Sequence, residues 1–153
     1  MLTKATSSAV NFIRDSTWMS KYFGPKVEDS YVFRLTEVHL MKAEALLRSG
    51  GSITEARTIL KNVMSKAGVT DFSAVDNATT TADLLVQIYY EYARNMTAED
   101  GIEWMALLRL PFETVKQLRP TITKKEQYYL PIPLAEFQLN PTIGDQNPGY
   151  LKL

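Results

Sequence analysis

Apolar residues recur every third or fourth position along most of this chain, which is the spacing of amphipathic helices. Over residues 31–51 the series is Leu35, Val38, Met41 or Leu40, Ala45 and Leu46. Arg34, Glu37, Lys42, Glu44 and Arg48 fill the positions between them. Gly50 and Gly51 end this helix, because glycine enters the left-handed cap conformation without strain. Ser52-Ile53-Thr54-Glu55 then reads as a capping box, and Ile53, Ala56, Ile59, Leu60, Val63 and Met64 form one apolar face that stops at Ala67-Gly68. A link of a few residues predicts that the two helices lie antiparallel and packed.

After a polar loop, Thr80 to Asp83 offers a second N-terminal cap. Leu84, Leu85, Ile88, Tyr92 and Met96 follow at helical spacing. A further helix is expected from Thr97 or Ala98 through Leu110, carrying Trp104, Leu107 and Leu108, and Pro111 can begin a short helix at its first position. Residues 1–30 are weakly periodic and are read as an irregular, aromatic-containing segment with a short helix or none, ahead of a helical domain over residues 31–153. No alternating run rich in valine and isoleucine is long enough to build a sheet. The predicted class is all-α.

The pattern changes past residue 110, where six of the seven prolines lie. Pro131 and Pro133 each fix their own φ and disfavour helix in the residue before, so residues 130–133 are expected as an extended strap. Tyr128, Leu130 and Ile132 alternate, which would pin one side of it. Leu134 begins a short helical turn that Asn140-Pro141 stops.

Composition narrows the function classes. Lys plus Arg and Asp plus Glu are both 17, and this balance argues against a nucleic-acid or anionic-membrane binder. With 45% hydrophobic residues in 153, the chain can build a core. The absence of cysteine removes disulfides, thiolate metal sites and cysteine nucleophiles. No apolar run reaches the roughly 18 residues of a membrane span. The first residues lack a secretory signal and a lipidation cysteine, so the chain is expected to be either cytoplasmic or a piece of a longer protein.

Candidate chemistry is sparse. Glu99, Asp100 and Glu103 crowd together, as acid–base carboxylates can, but acidic residues also favour a helix start. His39, the one histidine, has no ligand at helical spacing and reads as structural or surface. Glu37 and Glu44 can form ordinary surface pairs with Arg34 and Arg48; the alternative is that Glu44, between Ala43 and Ala45, is partly buried and needs a partner such as Arg94 or Arg109. Arg14, Asp15, Trp18 and Tyr22 form an aromatic-polar cluster, with Phe23 beside it. Aromatic faces stack on sugar rings while polar groups bond the hydroxyls, so these four are the ligand-binding candidates; the ordinary reading is a core or domain contact. No phosphate loop, nucleophile elbow or metal motif is present, and neither a cofactor nor enzyme activity is expected.

The hairpin of small and large residues, with Ala43, Ala56 and Leu60 at its contact, is similar to a tetratricopeptide repeat. Five motifs extend the likeness in order: RLTEVHLMKAEALLRSG, a helix ending SKAGV, IYYEYARNM, EDGIEWMALLR, and YYLPIPLAEFQLNP with a closing QNPGY. Together they resemble the carboxy-terminal portion of the SusD/RagB family, outer-membrane lipoproteins of Bacteroidetes. Asp100 stands as a one-residue insertion against that pattern, and Tyr92 and Asn95-Met96 replace its usual charged pairs. The resemblance implies tetratricopeptide-like helix pairs and non-covalent capture of a glycan or other nutrient at the cell surface. It also implies hand-over to a TonB-dependent transporter and a lipid anchor outside this chain. In that setting Glu44, Ala43, Ala56, Leu60, Trp104, Pro131 and Pro133 are scaffold. A piece of such a protein exposes surface its missing part would cover, which favours a dimer or domain swap. The rival reading is a free-standing adaptor that docks a protein or peptide.

Overall fold

A computed structural model of the chain describes residues 10–13, 16–19, 34–97 and 99–151. Two short strands come first, β1 (Val10–Ile13) and β2 (Ser16–Met19), followed by helices α1 (Leu35–Arg48), α2 (Ile53–Lys66), α3 (Ser73–Asp76), α4 (Thr81–Asn95), α5 (Ile102–Leu108), α6 (Phe112–Leu118) and α7 (Leu134–Leu139). The class is all-α. The strands pair antiparallel with Val10 opposite Met19 and Asn11 opposite Trp18, a hairpin that the weak periodicity of residues 1–30 did not announce. The chain packs as two units, residues 1–106 and 107–153.

In the first unit α1 packs on α2 and α4, α2 packs on α4, and the one-turn α3 packs on both α2 and α4. Each long helix is bounded by its sequence. Gly50 at φ 75° lets α1 end with Gly51 N–H donating to the Leu46 carbonyl (2.7 Å) and Gly50 N–H to that of Leu47. Val69 and Gly68 close α2 in the same way on Met64 and Ser65. At the start of α4 the Thr80 hydroxyl accepts from Asp83 N–H while Asp83 accepts from Thr80 N–H, a complete capping box. The box expected at Ser52 is half formed. Ser52 Oγ accepts from Glu55 N–H, but the Glu55 carboxylate meets Lys42 Nζ of α1 at 2.9 Å. A cross-helix cation draws it away from the backbone.

Ala43, Ala56 and Leu60 are fully buried, with Leu40, Leu47, Val63 and Met64 beside them in the core. Alanines at this contact let the α1 and α2 axes approach closely. Burying Leu60 alone contributes about 1.5–3 kcal/mol. From α4 the core takes Leu84, Ile88, Tyr89, Tyr92 and Met96. The inward face of α1 is therefore Leu40, Ala43, Glu44 and Leu47, while Leu35, Val38 and Met41 are exposed. That corrects the expected stripe: α1 is apolar on two sides, and the periodicity picked the outer one. Arg57 of α2 ties the α3 turn down, its Nη2 donating to the Ala78 carbonyl at 2.7 Å.

α5 begins at Ile102, later than the expected Thr97 or Ala98. Asp100 (φ 48°) and Gly101 (φ 71°) are both left-handed, which forces a turn between α4 and α5. Pro111 sits one place ahead of α6 as its cap residue, with φ −54° and ψ 142°.

In the second unit Leu110, Val115 and Ile122 are buried. A single turn of 3-10 helix, Lys125–Tyr128, leads into the extended strap. Leu130 is 84% exposed and pins nothing, contrary to the expected alternation. The strap is held through its backbone instead. Gln146 Oε1 accepts from Ile132 N–H (2.7 Å) and Gln146 Nε2 donates to the Ile132 carbonyl (2.8 Å). Asn147 Nδ2 donates to the Leu130 carbonyl (2.7 Å), and the Tyr150 hydroxyl donates to that of Tyr129 (2.8 Å). Gly149, at φ 87°, makes the approach possible: a Cβ there would lie 2.7 Å from Glu126 Cβ.

Candidate functional site

Among the described residues of the first unit, a polar cluster joins the start of α1 to the end of α4. Arg34 is extended (φ −114°, ψ 145°) and caps α1 with its carbonyl. Its guanidinium donates to the Asn95 carbonyl and meets Glu99 Oε1 at 2.9 Å. A cation on the last carbonyls of α4 also complements the helix dipole. One turn back, Glu91 is 1% exposed. Its Oε2 meets Arg94 Nη1 at 2.5 Å and its Oε1 accepts from Asn95 Nδ2 at 2.7 Å. Each carboxylate oxygen thus accepts from a donor, which offsets the desolvation of a buried charge. Sequence reading passed over Glu91. The signal was there in its spacing, since Glu91 lies three residues after Ile88 and one before Tyr92 on the inward face.

The other acidic candidates are dispersed. Glu44 is 8% exposed and accepts from Arg48 Nε at 2.8 Å. Glu99 pairs with Arg34, Asp100 is exposed in the turn, and Glu103 lies in the first turn of α5. His39 is exposed on α1. Among the described residues no group of three His, Cys, Asp or Glu is placed to hold a metal ion.

Of the four ligand-binding candidates, Trp18 lies on β2 across from Asn11. Arg14, Asp15 and Tyr22 lie outside the described residues. Trp104 is half-buried on α5.

The second unit holds an aromatic cluster that sequence reading did not single out. Phe112 and Tyr128 stand edge to face, with centroids 6.1 Å apart. Lys116 Nζ lies 5.4 Å and Lys125 Nζ 6.0 Å from the Phe112 ring. Both ammonium groups are attracted to the negative ring face. Burial pushes the Tyr128 hydroxyl above the usual phenol range. Residues from α6 and the 3-10 turn meet here, which sequence spacing alone does not connect.

The model of the SusD family matches residues 8–109, about two thirds of the chain, and ends before the strap. No curated protein and no solved structure matches. The family is one of nutrient-binding proteins associated with the outer membrane. No helix among the described residues is long and apolar enough to cross a membrane.

Proposed function

The chain belongs to the SusD family, and from that premise we propose that it forms helical scaffold of a cell-surface protein that captures a glycan or related nutrient without covalent chemistry and passes it to a TonB-dependent outer-membrane transporter. The observation that carries this reading is the family match over residues 8–109. The buried Glu91 carboxylate is committed to Arg94 and Asn95, which makes it part of the helical scaffold. Ala43, Ala56 and Leu60 serve the scaffold by closing the α1–α2 hairpin, while Glu44 and Trp104 support the helices around it. Residues 1–30 are taken as a lead-in to the helices over residues 31–153, which divide between the two packed units after residue 106. Arg14, Asp15, Trp18 and Tyr22 supply the sugar contact: Trp18 stacks on a pyranose face and the polar side chains bond its hydroxyls.

Calorimetry against a panel of neutral and acidic oligosaccharides tests the proposal. The expected result is binding of one glycan class, weakened about tenfold by Trp18→Ala with the far-UV spectrum unchanged. Binding by a longer version but not by this chain would leave it as scaffold alone. Absence of binding in both would remove the glycan assignment.

A second reading rests on the exposed Leu35, Val38 and Met41 on α1. An adaptor would dock a protein or peptide on that face, and a charge substitution at Val38 would then abolish partner binding without lowering stability.

A further inference from the structure

Residues 130–133 contain two backbone donors, at Leu130 and Ile132, because Pro131 and Pro133 have no N–H. The Ile132 amide, the Ile132 carbonyl and the Leu130 carbonyl all meet side chains of the dipeptide Gln146-Asn147, so these groups face one way. The bonds at Ile132 have a particular form. One primary amide both accepts from the residue's N–H and donates to its carbonyl. That is the two-bond exchange a residue makes with its hydrogen-bonded partner across an antiparallel ladder. Gln146 Oε1 also accepts from Asn147 N–H at 2.8 Å, which fixes the amide in place. Glutamate could not donate the second bond.

We propose that Gln146 is a built-in substitute for a neighbouring strand, and that it keeps the Leu130–Ile132 edge from pairing with the same edge of a second copy of this chain. The edge is self-complementary. An antiparallel arrangement about Pro131 sets Leu130 of each copy opposite Ile132 of the other, and each of these residues carries one N–H and one carbonyl. Leu130, 84% exposed, would then contact Ile132 across the pair. Unpaired extended backbone is a template for such addition unless something covers it. The proposal concerns the strap alone and stands apart from the glycan reading.

The test uses the full chain as wild type, Gln146→Ala and Gln146→Glu, with amide exchange at Ile132 read by NMR and mass by light scattering over a range of concentrations. Wild type should protect the Ile132 amide and show no strap-dependent association. Gln146→Ala should exchange at Ile132 at least tenfold faster when dilute, then dimerise on concentration with protection returning. Gln146→Glu keeps the side-chain length and an acceptor. If Gln146→Ala fails to fold, Gln146→Glu must show retained Ile132 N–H protection. Adding Ile132→Pro to Gln146→Ala removes one of the two facing donors, and with it half the bonds across the pair, and should abolish the dimer. An unprotected Ile132 amide in wild type overturns the proposal. So does a Gln146 variant that loses protection yet stays monomeric at every concentration, or a dimer that Ile132→Pro leaves intact.

Discussion

Arg34, the residue before α1, meets Glu99, beyond the end of α4, at 2.9 Å. The same guanidinium also donates to the Asn95 carbonyl, 61 residues away in sequence. One side chain therefore fastens the start of α1 to the end of α4. Arg34→Ala should lower stability by about 1–3 kcal/mol, the range for removing a partner from partly buried polar groups. Urea denaturation measures it. A double-mutant cycle with Glu99→Gln should show coupling of about 0.5 kcal/mol or more, and additive losses would mean that the pair does not act together.

The two apolar sides of α1 and α2 should respond very differently to truncation. Leu60→Ala removes a fully buried side chain and should destabilise by about 2–5 kcal/mol. Leu35→Ala touches a position that is 73% exposed and should stay within about 0.5 kcal/mol of wild type. A loss at Leu35 as large as that at Leu60 would show that the outer face of α1 is packed as well.

At the second unit, Gly149→Ala places a methyl group 2.7 Å from Glu126 Cβ at a backbone φ of 87°. The alanine must either strain the backbone or release the 146–150 segment from the strap. The expected loss is about 1 kcal/mol or more, with faster proteolysis near residue 130. Unchanged proteolysis and stability would show that the close approach is not needed.

Two groups give stability a dependence on pH, with opposite signs. Burial raises the Tyr128 pKa above its unfolded value, so the folded state favours the neutral phenol. That contribution is complete below the unfolded pKa, near 10, and is lost as pH climbs through the folded value. Tyr128→Phe should flatten the alkaline limb of a stability–pH profile. Asp71 behaves in reverse: its Oδ1 accepts from Ser73 N–H at 2.8 Å, which lowers its pKa. Its contribution is present above the unfolded value and is lost as pH falls through the folded one, so Asp71→Asn should flatten the acid limb. A profile that neither substitution changes would sink both assignments.

The helices were legible because their signals are local. Ser52, Thr80, Gly50 and Gly68 mark ends that depend on a few neighbouring residues, and the apolar spacing of α2 and α4 matches their buried faces. α1 misled because it is apolar on two sides, and only packing selects between Leu40-Ala43-Leu47 and Leu35-Val38-Met41. Lys42 took Glu55 from its cap for the same reason: the competing partner is on another helix. The strap was foreseen as extended from its prolines, but what holds it was not, because Gln146 and Asn147 are ordinary polar residues until the chain folds back. Of the ligand candidates, the sequence supplies chemical types and the structure supplies the pairing register of Trp18.

The tight turn at Gly50-Gly51 has a consequence for time as well as for shape. α1 and α2 meet across a four-residue link, so closing that hairpin takes little loop entropy, whereas joining Arg34 to the end of α4 must gather about four times more chain than one helix holds. Local contacts form early on this topology. This topology predicts that the hairpin forms first and the Arg34 fastening last, so weakening the turn should slow folding while cutting the clasp should hasten unfolding. A chain emerging in sequence order could complete its first helix pair long before the strap at its far end has been made.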